Sequence, residues 1–167
     1  MDEKRILNIG CGNSFEGTDR IDFMKTPATT KICDIEEGLP YKDGTFDEII
    51  CYRVLEHLRN LKTFMSECHR VLKQRGGIRL QTDNAGFIIY HIKNDHNLYV
   101  DRYKKTFYAK NQPPIDSEDH HYHLFVPSHL NYLFQMAGFQ EIKISYVQVQ
   151  QNKLKRFFLT LVFYMEK

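Results

Sequence analysis

At 167 residues the chain is sized for one domain that buries its own core without disulfide or metal support. Its 23 Lys and Arg against 21 Asp and Glu leave a formal charge of +2, which argues against a partner held chiefly by charge, such as bulk DNA. Cys11, Cys33, Cys51 and Cys68 form no C-x-x-C pair and no apolar run nears the ~20 residues of a bilayer span, so a soluble cytoplasmic protein with reduced, packing cysteines is expected.

The first element is Ile6 to Ile9, an apolar run too short for a helix and suited to a buried parallel strand. Gly10-Cys11-Gly12 follows at once, and glycines beyond a strand's carboxyl end let backbone approach a ligand, the place where open α/β sheets bind cofactors. A polar loop, Asn13 to Thr18, leads to a second short strand, Asp19 to Phe23. Asp22 lies only twelve positions beyond Gly10, and no third glycine opens a helix. Both facts disfavour a dinucleotide site, which spaces its ribose-binding acid at about 20 residues. An acid ending strand two still has the acceptors for two ribose hydroxyls. Lys31 to Ile35 reads as a third strand containing Asp34, a candidate acceptor for an exocyclic amine. A turn-rich connection precedes a fourth strand, Phe46 to Tyr52, whose exit is Arg53-Val54-Leu55-Glu56-His57-Leu58.

The runs LNIGCGNS, RIDF and CDIEEGLPYKDGTFDEIICYRVLEHL, in that order, resemble the class I S-adenosylmethionine-dependent methyltransferases, in particular small, type 11-like ones. The resemblance covers Arg5 to about Asp83 and Phe125 to Phe139. It implies S-adenosyl-L-methionine as cofactor. Gly10 and Gly12 would lie against its methionine part, Asp22 would hold the ribose, Asp34 the adenine amine with Ile35 packing near the ring, and Tyr52 would flank the methionine end; Asn8, Cys11 and Phe23 are further candidate cofactor-binding residues. Two positions depart from the family pattern: Asn8 stands where the family often has Asp, and Ser14 replaces its third glycine.

Leu61, Phe64, Met65, Cys68, Val71 and Leu72 recur at helical spacing, predicting a sheet-covering helix capped by Asn60, closed by Lys73 and Arg75 and stopped at Gly76-Gly77. Gly77 to Asp83 alternates as a fifth strand and delivers Asp83 to the same edge. The segment from about 85 to 123 loosens into a substrate or lid insertion, aromatic and basic in turn through Tyr99, Tyr103, Tyr108, Arg102 and Lys104. That mix suits a lid, or stacking and phosphate contacts with RNA. Asp119-His120-His121-Tyr122-His123 admits a metal site on the shared face of His121 and His123, a general base, or a purely structural role. Pro127 opens a second amphipathic helix ended by Gly138; Ile142 to Tyr146 and Phe157 to Met165 are the last strands.

The expectation is one Rossmann-like α/β domain over 1–167: a mostly parallel seven-stranded sheet in the family order 3-2-1-4-5-7-6, strand seven antiparallel, with the usual helix after strand one reduced to a loop. The expected reaction is methyl transfer to an oxygen or nitrogen of an acceptor, a small molecule favoured and RNA or protein also considered. His121, His123, His57 and Asp83 are the candidate bases, and no metal is assigned. A non-catalytic cofactor-binding module acting with a partner, or an RNA-binding protein, are the alternatives.

Overall fold

The computed structural model describes residues 3–83, 122, 123, 125–149 and 158–167. Its elements in chain order are β1 (Ile6–Ile9), β2 (Asp19–Asp22), β3 (Lys31–Ile32), β4 (Phe46–Tyr52), α1 (Leu61–Val71), β5 (Leu72–Asp83), α2 (Pro127–Met136), β6 (Gln140–Val149) and β7 (Phe158–Glu166). They form one seven-stranded sheet ordered β3-β2-β1-β4-β5-β7-β6. The first five strands pair in parallel, and β7 inserts antiparallel to both β5 and β6. Order and direction are those expected from the sequence, and residues 10–18 between β1 and β2 form a loop in place of a helix.

The register sorts side chains onto two faces. Leu7, Ile49 and Ile78 align across β1, β4 and β5, as do Ile9, Cys51 and Leu80 one layer on. All six are fully buried, in one cluster with Phe64, Met65, Cys68 and Val71 of α1 and Leu130 and Phe134 of α2. Asn60 caps α1 as expected, its side-chain oxygen accepting from Thr63 N at 3.1 Å. On the opposite face Asn8, Ile50 and Arg79 align, flanked by Glu48 and Tyr52. That face carries charge and hydrogen-bonding groups, and the loop 10–18 reaches across it.

Several element boundaries differ from expectation: β2 and β7 by one residue, and β3, α1 with β5, and β6 by more. β3 stops at Ile32, because the Asp34 carboxylate accepts from Glu36 N at 3.0 Å and caps a 3-10 turn over Ile35–Glu37. α1 ends at Val71, before Lys73 and Arg75 can serve its last turn. Leu72 is already extended and pairs with Phe46, while Thr45 N bonds the Val71 carbonyl at 2.7 Å. Competition from β4 therefore ends the helix ahead of Gly76-Gly77. Lys73 instead bridges to Asp47 at 2.9 Å, and an irregularity between the Leu72 and Gly77 pairings absorbs the intervening residues, with Arg75 at φ 63°. β6 extends beyond the Ile142 to Tyr146 core at both ends, since β7 pairs it from Gln140 to Val149.

Candidate cofactor site at the carboxyl edge of the sheet

Parallel pairing of β1, β2, β3 and β4 brings their carboxyl ends to one edge, and with them the residues that follow: Gly10 to Gly12, Asp22, Asp34 and Tyr52. The glycine turn is built differently from the expectation of amides presented to a ligand. Gly10 N and Cys11 N both donate to the Ile21 carbonyl, at 2.9 and 3.1 Å, and Gly12 N donates to Asp22 Oδ2 at 2.8 Å. These donors fix the turn to β2. What the turn offers outward is backbone without Cβ. Gly10 (φ +65°) lies against Val54, whose Cγ2 would sit 2.2 Å from an added Cβ, whereas a Cβ on Gly12 (φ +50°) meets nothing within 4 Å. The Gly10 side therefore packs on the β4 exit and the Gly12 side is open.

Asp22 is the centre of the arrangement. Its Oδ2 receives Gly12 N and its Oδ1 receives Met24 N at 3.0 Å, so the buried carboxylate clamps the turn after β1 to the turn after β2. Each oxygen retains a further lone pair for a donor such as a ribose hydroxyl. Thr26 Oγ1 donates to the Gly12 carbonyl and bonds Thr29 Oγ1 at 2.8 Å, closing the second turn onto the first. Cys11 is buried with its sulfur 3.8 Å from Thr29 Oγ1. Phe23 is exposed, Ile35 is buried at the base of the Asp34-capped turn, and Asp34 itself is exposed. Asn8 is buried, and its amide donates to the Glu16 carbonyl at 3.0 Å, which ties it to the loop. Tyr52, half-buried, accepts from Arg79 Nη1 at 3.3 Å, and burial raises its hydroxyl pKa above the ordinary value, keeping it a neutral hydrogen-bonding group.

Of the four candidate bases, the structure brings two together. His57 closes the 3-10 turn Leu55–His57 that follows β4. Tyr122 N and His123 N both bond the Glu56 carbonyl, at 2.8 and 3.4 Å, and the His123 ring lies 5.8 Å from that of Phe125. Both histidines therefore adjoin the β4 exit. Asp83 ends β5 at the same edge, paired through its backbone with Thr160. His121 and the 85–121 part of the insertion lie outside the described residues. Glu56 was missed by sequence reasoning: it is almost wholly buried, and its carboxylate accepts from Thr82 Oγ1 at 2.9 Å. The only local signal was an acid inside the apolar run Val54 to Leu58. Among the described residues no three His, Cys, Asp or Glu converge as a metal site.

Such an edge, with a glycine turn, a strand-two acid and a sheet ordered 3-2-1-4-5-7-6, defines a Rossmann-like domain. Residues 16–80 match the methyltransferase domain family model. An uncharacterised protein of Methanocaldococcus jannaschii is 39% identical over 70 residues, 41% of this chain and 31% of that protein. The mitochondrial ubiquinone biosynthesis O-methyltransferase of Homo sapiens is 29% identical over 112 residues, 52% of this chain and 30% of that enzyme. The chain thus spans about a third of the length of these relatives. The crystal structure of a SAM-dependent methyltransferase from Thermotoga maritima superposes with a TM-score of 0.72 at 17% identity, covering 100% of this chain and 84% of that one. Over residues 16–80 the chain is thus similar to the methyltransferase domain family, and its fold is that of the SAM-dependent methyltransferase structure on which it superposes.

Proposed function

We propose that the protein transfers a methyl group from S-adenosylmethionine to an oxygen or nitrogen nucleophile of a small acceptor. The observation that carries this reading is the Asp22 clamp, a buried carboxylate that ties the open Gly12 turn to the end of β2 and keeps acceptor capacity for a diol. When bound, S-adenosylmethionine supplies an electrophilic methyl on a sulfonium. The chain's own residues then have to bind and orient. Asp22 would hold the ribose, Gly10 to Gly12 and Tyr52 would border the methionine part, and Asp34 with Ile35 would receive the adenine. Alignment of nucleophile, methyl carbon and sulfur is the main requirement. A base is needed only for a nucleophile that arrives protonated, and His57 and His123, which adjoin the β4 exit, are the candidates for that proton.

The reading draws support from the ubiquinone biosynthesis O-methyltransferases among the relatives, which favour an oxygen acceptor for first trials. No helix among the described residues is long and apolar enough to cross a membrane. We place the activity in the cytoplasm, on diffusible acceptors. The RNA-binding alternative rests on the aromatic and basic insertion, whose residues 84–121 lie outside the described ones; the non-catalytic module shares the cofactor site and is separated from an enzyme by the transfer assay. The test is transfer of label from methyl-labelled S-adenosylmethionine across a panel of phenols, carboxylates and amines. Label in at least one acceptor, abolished by excess S-adenosylhomocysteine, is expected. Tight cofactor binding with no transfer to any class would instead support the binding module.

A further inference from the structure

The loop 10–18 stands where the family places a helix, and it carries few hydrogen bonds of its own, Ser14 N to the Cys11 carbonyl at 2.8 Å among them. Its shape is therefore set from outside. Thr18 bonds Ile6, Arg20 Nη1 donates to the Gly17 carbonyl at 2.7 Å, and Asn8 holds the Glu16 carbonyl. One contact comes from two strands away. Arg79, on β5, sends Nη2 to Glu16 Oε1 at 2.9 Å, Nη1 to the Tyr52 hydroxyl at 3.3 Å, and Nε to Glu48, which also pairs with Lys4 at 2.6 Å. β4 lies between β1 and β5, so this pairing stretches the loop over β4. Glu48 is buried and faces Gly77 in register, so no side chain competes where Arg79 folds back toward it. The guanidinium is thereby fixed at its base and presents its two terminal nitrogens, Nη2 to the loop and Nη1 to Tyr52.

We propose that Arg79 is a positioning residue of the cofactor site, acting through the Glu16 carboxylate and the Tyr52 hydroxyl to hold the glycine loop in its binding shape. The inference rests on the proposed cofactor site. Glu16 follows Gly12 by four residues, so release of its carboxylate frees the arm of the loop that leaves the open side of the turn. Arg79 touches none of the atoms expected to react. Its effect is on cofactor affinity.

The experiment is calorimetric titration of S-adenosylhomocysteine into the full chain, with thermal unfolding measured in parallel. Glu16→Gln leaves the half-exposed side chain in place and removes the ion pair, so a rise in Kd of roughly threefold to fivefold is expected, with the melting temperature little changed. Arg79→Ala should raise Kd at least as much and also lower the melting temperature, because Glu48 keeps Lys4 alone. The double variant should bind no more weakly than Arg79→Ala, the signature of two groups acting through one contact. Raised salt should bring the wild type toward Glu16→Gln. If the wild type binds S-adenosylhomocysteine and Glu16→Gln and Arg79→Ala match it, Arg79 is scaffold and the proposal fails while the cofactor site stands. If Arg79→Ala does not fold, Glu16→Gln alone decides. No binding by the wild type overturns the cofactor reading and this inference with it.

Discussion

Replacing Asp22 by alanine tests the site and the fold together. The carboxylate receives two backbone amides, from Gly12 at 2.8 Å and Met24 at 3.0 Å, and is buried at 8% exposure. Hydrogen bonds to a charged group contribute about 1.5–3 kcal/mol each, but water can reach both amides once the side chain is gone. The net loss should therefore be about 2–3 kcal/mol, a fall in melting temperature of roughly 5–10 °C for a chain of this size. Cofactor affinity should fall further than stability alone explains. Below the melting temperature the folded variant loses the diol acceptor as well as the clamp, and S-adenosylhomocysteine affinity should drop more than about tenfold. Thermal unfolding and calorimetry on the same sample read both effects. An unchanged melting temperature would refute the clamp; an unchanged Kd would refute the ribose assignment even where the clamp holds.

Gly10→Ala should destabilise by at least ~1–2 kcal/mol from its left-handed backbone alone, and the contact with Val54 adds to that. Val54→Ala in the same chain should recover the steric share; no recovery in chemical denaturation contradicts the packing described. Burial alone would raise the Glu48 pKa, but the Lys4 and Arg79 hydrogen bonds outweigh it and hold the carboxyl below its ordinary 4.5. Its contribution is then complete above that value and lost as pH falls through the lowered folded value. Glu48→Gln should be less stable than wild type at neutral pH, the gap closing in acid; a gap that persists at low pH counts against the ion pair. His57→Ala and His123→Ala, assayed on whichever acceptor is found, should lower turnover more than cofactor affinity if that acceptor arrives protonated. Full turnover in both variants removes these two as bases.

The strands that build the site were legible as short, mainly apolar runs bounded by turn signals. Ile6–Ile9 and Phe46–Tyr52 have the bounds expected of them, and Pro127 begins α2 as its fixed φ predicts. What escaped the sequence depends on partners distant along the chain. Leu72 leaves its helical pattern because Phe46 recruits it into the sheet. Asn8, in a strand beside cofactor glycines, bonds a loop eight residues on. Arg79, Glu48 and Glu16 are unremarkable polar residues until β4 and β5 pair, and Glu56 is hidden inside an apolar run. The acids that end strands were visible by position, yet that Asp22 also clamps two turns follows only from the β1–β2 register.

The central claim is that the cofactor lies over Gly10 to Gly12 with its ribose at Asp22 and its adenine toward Asp34. It is tested most directly by titrating S-adenosylhomocysteine into isotopically labelled protein and following the backbone amides. The account predicts saturable shifts at Gly10, Cys11, Gly12, Asp22, Phe23, Asp34 and Tyr52, with Phe64 to Val71 of α1 unmoved. Saturable binding that shifts other amides and leaves these seven in place would contradict it, as would no binding at all.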